Sequence, residues 1–429
     1  YGTLDDFKRL LAEAHRRGMR VIVDLVLNHT SSRHPYFLDA AAQGPASKYY
    51  DWYVWSDSDK GPYWHPLAGH PGRYYFGRFC ECMPDLNYRN AAVTAEAEKV
   101  SAFWLEDVGV DGFRLDAAKH LIEDASRLEN TPETHAWLKD YFVFYKAQKP
   151  DAYVVGEVGQ ADASLVKSYN GQLDQVFNFE LAQDLVASAR QGTSLPAISG
   201  LAFALQAAPD GDYATFLTNH DQDRLMSALG GSLERARLAA FLLLTSPGTP
   251  FIYYGEEIGM QGVKPDEDIR RPMQWNAGPN AGFTTGQPWR SPASDYPSVN
   301  VAAETSDPAS LLSWYRQLIA VRREHPALMQ GRYIPIESGN PAVYAALRTS
   351  GSEALLLIAN LTGEPVAQYA LGSQDLGGAL RPGAFQVAGV LQPGVFAGLE
   401  VAHDGRISNY RPLPELPPYG MYVLLLGGR

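Results

Sequence analysis

Val110-Asp111-Gly112-Phe113-Arg114-Leu115-Asp116-Ala117-Ala118-Lys119-His120 is the stretch from which the fold and chemistry of this 429-residue chain can be read. Phe113 and Leu115 alternate with Arg114 and Asp116, the period of a β-strand, so the two charged side chains share one face and the apolar pair enters the opposite layer. An Arg stays protonated at any working pH and lowers the pKa of a carboxylate beside it. Asp116 therefore reads as a carboxylate held ionised, as a nucleophile must be. An Arg-x-Asp pair on a strand also occurs as a plain structural ion pair, so the reading depends on what surrounds it.

Working outward, Ala91–Glu106 carries Val93, Ala97, Val100 and Trp104 at helical spacing, and Gly109 stops it before the strand. Farther upstream, Thr3 with Asp5 and Asp6 starts a helix whose Leu4, Phe7, Leu11 and Ala14 recur until Gly18. The apolar run Arg20–Leu27, broken by Asp24, reads as a buried parallel strand ending in Asn28-His29-Thr30. Downstream, strands are expected at Tyr153–Glu157, Val176–Phe179, Tyr213–Thr218 and Phe251–Tyr254. Helices are expected around Glu133–Lys149, near Ser164, between Leu181 and Ala208, over Leu233–Leu244 and over Ala309–Arg323. Six strands alternating with helices is the pattern of a parallel sheet or barrel. Residues 31–90 interrupt it with short aromatic, Gly/Pro-punctuated pieces that read as an insertion. Beyond residue 331, short strands such as Ala342–Arg348 and Ala354–Asn360 read as a separate all-β domain.

Acidic residues outnumber basic ones, 48 to 36, for a formal charge of −12. That disfavours a nucleic-acid backbone or an anionic membrane as partner and leaves a neutral substrate. Aromatics are 11% of the chain, with 24 Tyr and 8 Trp, which suits stacking on flat apolar ligand faces as well as core filling. Cys80 and Cys82 are the two cysteines. Their one-residue spacing is expected to give neither an unstrained disulfide nor a zinc site. No apolar run has the length of a membrane span.

Three carboxylates end apolar strand runs: Asp116, Glu157 after Val154-Val155-Gly156, and Asp221 after Thr218-Asn219-His220. His29 and His220 sit at strand ends too. In a parallel α/β fold these ends share one face, where ligands bind. Such a set meets the demands of glycosidic cleavage with retention, in which a nucleophilic carboxylate and a protonated acid flank the bond about 5–5.5 Å apart. Asp116 beside Arg114 suits the nucleophile. Glu157, with apolar neighbours and other carboxylates close by, is expected to have a raised pKa and to act as acid/base.

With these residues in view, the chain resembles the α-amylase family of glycoside hydrolases. Asp24–His29 (Asp-Leu-Val-Leu-Asn-His), Gly112–His120, Gly156-Glu157-Val158 and Phe216–Asp221 (Phe-Leu-Thr-Asn-His-Asp) look like its four ordered signature segments. Gly248–Glu256 resembles its last barrel strand, and Met83–Asn87 (Met-Pro-Asp-Leu-Asn) its inserted-domain motif. The resemblance implies Asp116 as nucleophile, Glu157 as acid/base and Asp221 as transition-state stabiliser, with His29, Arg114 and His220 binding the sugar at the cleavage subsite. It also implies that Lys119 and His120 hold the leaving-group sugar.

The implied fold is a (β/α)8 TIM barrel over residues 1–30 and 91–330, an inserted B domain over 31–90 and a C-terminal antiparallel β-sandwich over 331–429. Strands three to eight of the barrel are readable and the first two have no counterpart, so residues preceding Tyr1 are expected to supply them. The implied substrate is an α-glucan, cleaved at α-1,4 bonds as by α-amylases, a preference attached by resemblance to Ala117, Lys119 and His120. A 4-α-glucanotransferase, or an α-glucosidase or oligo-1,6-glucosidase, is the alternative, the last two suggested by Met83–Asn87 and Arg271–Trp275. A non-catalytic binding subunit of the same fold would have lost the acids, which all stand here. No cofactor is required for the chemistry. Asn28 matches a calcium-ligating position of many relatives, so calcium is carried as a candidate metal. The sequence leaves the oligomeric state open.

Overall fold

In the computed structural model, which describes residues 2–124, 127–159, 163–374 and 376–428, the capping box read at Thr3 is formed. The Asp6 N–H donates to Thr3 Oγ1 (3.2 Å), the Thr3 N–H donates to Asp6 Oδ2 (2.8 Å), and the helix Leu4–Arg16 follows. The chain divides into two compact units, Tyr1–Phe177 and Asn178–Arg429.

The first unit is built on four parallel strands: β1 (Ile22–Leu25), β2 (Gly112–Leu115), β3 (Tyr153–Gly156) and β4 (Gln175–Val176), in spatial order β1-β2-β3-β4. The register sets Asp24 beside Arg114 and Arg114 beside Val155, which brings their side chains to one face. Phe113 and Leu115 are buried on the other, as the alternation requires. Close packing of β2 on β3 demands Gly112, where a Cβ would lie 1.8 Å from Tyr153 O and φ is +150°.

Two carboxylates at the strand starts fix this register. Asp111 accepts from the Val21 N–H (2.8 Å) and from Lys149 Nζ (3.3 Å), and pairs with His15 Nε2 (2.7 Å). Burial alone would raise its pKa; these bonds outweigh it and hold the pKa below the ordinary value. Asp174 plays the same part for β3, accepting from the Val154 N–H (2.9 Å), the Tyr145 hydroxyl (2.9 Å) and Lys146 Nζ (2.6 Å).

The helix expected over Ala91–Glu106 is α-helical through Ala102 and then widens into a π-helical segment, Phe103–Val108. Trp104 O accepts from both the Gly109 and Val110 N–H groups at 3.0 Å, and Gly109 in the left-handed region ends the segment.

Residues 31–90 hold a helix, Pro35–Gln43, and a three-stranded antiparallel sheet in the order Trp55–Ser56, Tyr74–Phe76, Trp64–Pro66. Strands of two or three residues are too short to show a period, which is why the sequence displays none. Phe37, Ala40, Tyr53 and Tyr75 form their core, with Trp52 and Trp55 packed against it. The expectation for the cysteines is overturned: Cys80 and Cys82 form a disulfide, their Cα atoms 5.2 Å apart, within the reach of an ordinary bridge.

In the second unit, helices Phe179–Gln191 and Leu195–Ala207 precede β5 (Ala214–Thr215), which pairs in parallel with β6 (Thr249–Pro250). The strand expected at Phe251–Tyr254 is displaced to its N-terminal side. The ladder bonds are Thr249 N–H to Tyr213 O and Phe251 N–H to Thr215 O, and the chain turns at Tyr253–Glu256. Helix Leu233–Thr245 is buried continuously from Leu238 to Thr245, which explains its apolar composition. A six-stranded antiparallel sheet and a two-stranded one, Leu371–Ser373 with Ile407–Tyr410, enclose a core that includes Leu347, Leu356, Leu371, Ile407 and Leu424. Arg322 and Arg348, both buried, donate to carbonyls that end the Leu233–Thr245 helix: Arg322 Nη1 to Leu244 O and Ser246 O, Arg348 Nη1 to Thr245 O. No helix among the described residues is long and apolar enough to cross a membrane.

Asp111→Ala is expected to destabilise the protein by about 1–3 kcal/mol, because the Val21 N–H, Lys149 and His15 lose the buried acceptor they share. The folded-state pKa of Asp111 is depressed, so its contribution is present at neutral pH and lost as pH falls through the carboxylate range. Denaturant unfolding of both proteins at pH 7 and pH 3 checks this: the difference should shrink at pH 3, and a difference below about 0.5 kcal/mol at pH 7 would contradict it.

Candidate active site

The catalytic candidates of the first unit lie one residue past the strand ends, on backbone that continues the ladder. The Asp116 N–H donates to Leu25 O (3.4 Å), the Glu157 N–H to Leu115 O (2.8 Å), and the Ala118 N–H to Glu157 O (3.0 Å). Ala117 follows Asp116 in the left-handed region, at φ +49°, a conformation that costs a non-glycine residue energy and is held here by the packing around it.

Arg114 is the hub. Its Nη1 donates to Asp24 Oδ1 (2.6 Å) and Asp116 Oδ1 (2.8 Å), and its Nη2 donates to Glu157 Oε2 through a short contact. The guanidinium side chain is 14% exposed, Asp116 24%, Glu157 19% and Asp24 60%, so the cation and the two candidate catalytic acids are mostly sheltered while Asp24 stands at the rim. Burial would lower the Arg114 pKa, but Glu157, Asp24 and Asp116 outweigh it and raise it. Glu157, expected to act as acid/base, thus shares one guanidinium with Asp116.

His29 ends the β1 segment and packs on Phe79, ring centroids 5.4 Å apart. Burial lowers its pKa and Asp116 acts in the opposite sense, so the imidazole lies within the field of that carboxylate. The segment holding it is sewn to Met83–Asn87: Thr30 N–H donates to Pro84 O (3.1 Å) and Leu86 N–H to Asn28 O (2.9 Å). Lys119 and His120 lie on the short helical turn Ala118–His120 that follows. Lys119 Nζ pairs with Glu129 Oε2 (2.7 Å), and buried His120 pairs through Nδ1 with Leu128 O (2.8 Å). Burial lowers the His120 pKa.

Asn28 is buried; its Nδ2 donates to Asp85 Oδ2 (3.1 Å) and its Oδ1 has no hydrogen-bond partner. Burial pushes the Asp85 carboxyl up to about 7. A free amide oxygen next to a buried carboxylate fits a hard cation, though among the described residues no group of three His, Cys, Asp or Glu side chains converges on a metal.

His220 and Asp221 belong to the second unit, which has its own arginine. Arg270 Nη2 pairs with Asp221 Oδ1 (2.6 Å), Arg270 Nε donates to His220 O (2.8 Å), and His220 Nε2 lies 3.3 Å from Asp221 Oδ2. The Asp221 N–H donates to Asn219 Oδ1 (2.9 Å), a local turn that fixes the carboxylate after the strand. Asp24, Phe79 and Arg270 are participants to which the sequence reading gave no role. Asp24 was legible as the one carboxylate in the apolar run Arg20–Leu27. Phe79 and Arg270 sit in irregular segments whose contacts no periodicity reveals.

The family profile described as alpha amylase, catalytic domain, matches residues 1–331. The chain is 38% identical over 367 residues to alpha-amylase 3 of Dictyoglomus thermophilum, covering 84% of this chain and 71% of that one. It is 35% identical over 413 residues to the trehalose synthase/amylase of Mycolicibacterium smegmatis, covering 81% and 68%. It is 30% identical over 442 residues to the oligo-1,6-glucosidase of Parageobacillus thermoglucosidasius, covering 84% and 78%. Among solved structures, the α-amylase from H. orenii superposes with a TM-score of 0.83 at 33% identity, over 100% of this chain and 84% of that one. The fold class is that of these relatives, a TIM barrel with a C-terminal antiparallel β-sheet domain.

Replacing Arg114 by Met would leave Asp24, Asp116 and Glu157 clustered without their cation. The expected cost is about 3 kcal/mol at pH 7, since removing one partner leaves sheltered carboxylates unpaired. Unfolding free energies of the two proteins test this; a loss below about 0.5 kcal/mol would mean that the cluster does not depend on the cation.

Proposed function

The chain belongs to the α-amylase family of glycoside hydrolases, and we propose that within it this enzyme hydrolyses α-1,4-glucosidic bonds of starch and maltooligosaccharides with retention of configuration. That it is a glycoside hydrolase acting on α-glucosides follows from the family. The observation that carries the mechanism is the shared guanidinium: Asp116 and Glu157 are held on the two Nη atoms of Arg114, side by side. Retention requires this proximity, because the nucleophile must reach the anomeric carbon while the acid reaches the glycosidic oxygen about 5–5.5 Å away; an inverting pair stands farther apart to admit water.

In this mechanism Asp116 attacks the anomeric carbon and Glu157 gives its proton to the departing oxygen, leaving the glycosyl group esterified to Asp116. Glu157, now a carboxylate, takes a proton from water as the water attacks the same carbon and Asp116 departs. The contact between Arg114 and Glu157 matches the second step, in which Glu157 is the base. Asp221, assigned by resemblance, stabilises the oxocarbenium-like transition state, with His29 and His220 binding the sugar. The α-1,4 preference is supported by Ala117, Lys119 and His120 in their motif positions and by two α-amylases among the relatives. Relatives named trehalose synthase/amylase and oligo-1,6-glucosidase keep a second reading in view, transfer to a sugar hydroxyl or cleavage of α-1,6 bonds. Calcium belongs to the proposal as a structural ion: Asn28 Oδ1 and the Asp85 carboxylate would hold it, bracing the β1 end against Met83–Asn87.

Asp116→Asn is expected to lower kcat by at least about a thousandfold while substrate still binds, since the carboxylate acts in the chemical step; a variant retaining a tenth of wild-type kcat would remove Asp116 from the role. NMR of fresh digests should show the α-anomer first, and initial β-anomer would overturn retention. Maltotriose should be cleaved faster than isomaltotriose, and to glucose and maltose rather than longer products. The reverse preference, or chain elongation, favours the second reading. Calcium should raise the melting temperature of the wild type and not of Asn28→Ala, by linkage to the folded state. An equal rise in both would place the ion elsewhere.

A further inference from the structure

Arg270, the ion-pair partner of Asp221, has a side chain 37% exposed, so packing alone does little to fix its direction. A long side chain that must meet one carboxylate in one geometry then depends on how firmly its backbone is held. The carbonyls on both sides of it are held. The Tyr253 hydroxyl donates to Ile269 O (3.1 Å) and the Tyr254 hydroxyl donates to Arg271 O (2.6 Å), so two adjacent tyrosines bracket Arg270.

Arg224 sets the tyrosines in turn. Its guanidinium lies 4.5 Å over the Tyr253 ring and 4.6 Å over the Tyr254 ring, its Nη1 donates to Tyr254 O (2.7 Å), and the residue is 1% exposed. Arg224 stands three residues after Asp221. Its N–H donates to Gly262 O (2.9 Å), and the Lys264 N–H donates to Asp223 Oδ1 (2.8 Å), which ties the segment carrying Asp221 to the one carrying Arg270. The contacts close on themselves: from Asp221 along the chain to Arg224, across to Tyr253 and Tyr254, through their hydroxyls to Ile269 and Arg271, and from Arg270 back to Asp221.

We propose that Tyr253 and Tyr254, set by Arg224, are positioning residues for the reaction: their hydroxyls hold the backbone of Arg270 so that its guanidinium keeps the Asp221 carboxylate in place for the transition state. The inference rests on the role given to Asp221 above and deepens it, from the group that stabilises charge to the frame that holds the group. A carboxylate out of place loses an interaction made in the transition state and not in the bound substrate, so the effect falls on kcat.

The double variant Tyr253→Phe with Tyr254→Phe keeps both rings over Arg224 and removes the hydroxyls. On whichever of maltotriose and isomaltotriose is cleaved faster, it should lower kcat about tenfold and leave KM within about twofold. Combined with Arg270→Lys, the same pair should cost less than about a further twofold, because the path it acts through is already broken. A kcat within about twofold of wild type would overturn the inference, and so would a rise in KM as large as the fall in kcat. A second loss of about tenfold beside Arg270→Lys would overturn it too, by showing that the tyrosines act independently of Arg270. Asp221→Asn, assayed alongside, keeps the two readings apart: a large loss of kcat there with none in the tyrosine variant removes the positioning role and leaves the hydrolytic reading standing.

Discussion

One sheltered guanidinium holds the charged cluster of the first unit together. Arg114 takes a carboxylate from β1, the carboxylate two residues farther along its own strand, and the carboxylate that follows β3. Bringing three acids together in a sheltered site costs free energy unless a cation answers them, and a planar fork with several N–H donors answers more than one with defined geometry. A Lys, a point charge on a flexible stem, would neutralise without aligning. The alignment is what chemistry needs, because a nucleophile and an acid must flank one bond within a few tenths of an ångström.

That alignment depends in turn on strand register, which is set at the opposite ends of the strands. Asp111 and Asp174 each capture a backbone N–H and a neighbouring lysine before the strands begin. Gly112 lets β2 approach β3 closely enough for Arg114 to lie beside Val155. A slip of one residue would turn Arg114 into the apolar layer and Phe113 toward the substrate. Stability at one end of the sheet is therefore spent on precision at the other. The left-handed Ala117 stores backbone strain next to Asp116, held by the buried Ala118 and Leu115 nearby.

How much of this was legible in the sequence depends on the range of each interaction. The alternation around Arg114 and Asp116 states its own strand, and the contact between them is the one the pattern requires. The positions of β1 to β3 and of the long helices follow from period and punctuation in the same way, whereas β4, expected at Val176–Phe179, is Gln175–Val176 and Phe179 already begins the next helix. β6 was misplaced because a strand of two residues has no period, and the apolar run after it turns away at Tyr253–Glu256. The Cys80–Cys82 bridge was misjudged because sequence separation does not report Cα separation; a turn brings the two within ordinary reach. Pairings such as Asp24 with Arg114, 90 residues apart, and Arg270 with Asp221, 49 apart, are set by tertiary packing that no local pattern encodes. The contact of Arg114 with Glu157, 43 residues apart, shows the same limit.

The central claim is that Asp116 becomes covalently bonded to the sugar. The most direct measurement is to react the enzyme with a fluorinated α-glucosyl donor that glycosylates quickly and deglycosylates slowly, then digest it and sequence the labelled peptide by mass spectrometry. The account expects one hexose adduct on the peptide containing Gly112–His120, located on Asp116 and absent from Asp116→Asn. An adduct on another carboxylate, or none under conditions where the donor is turned over, would contradict it.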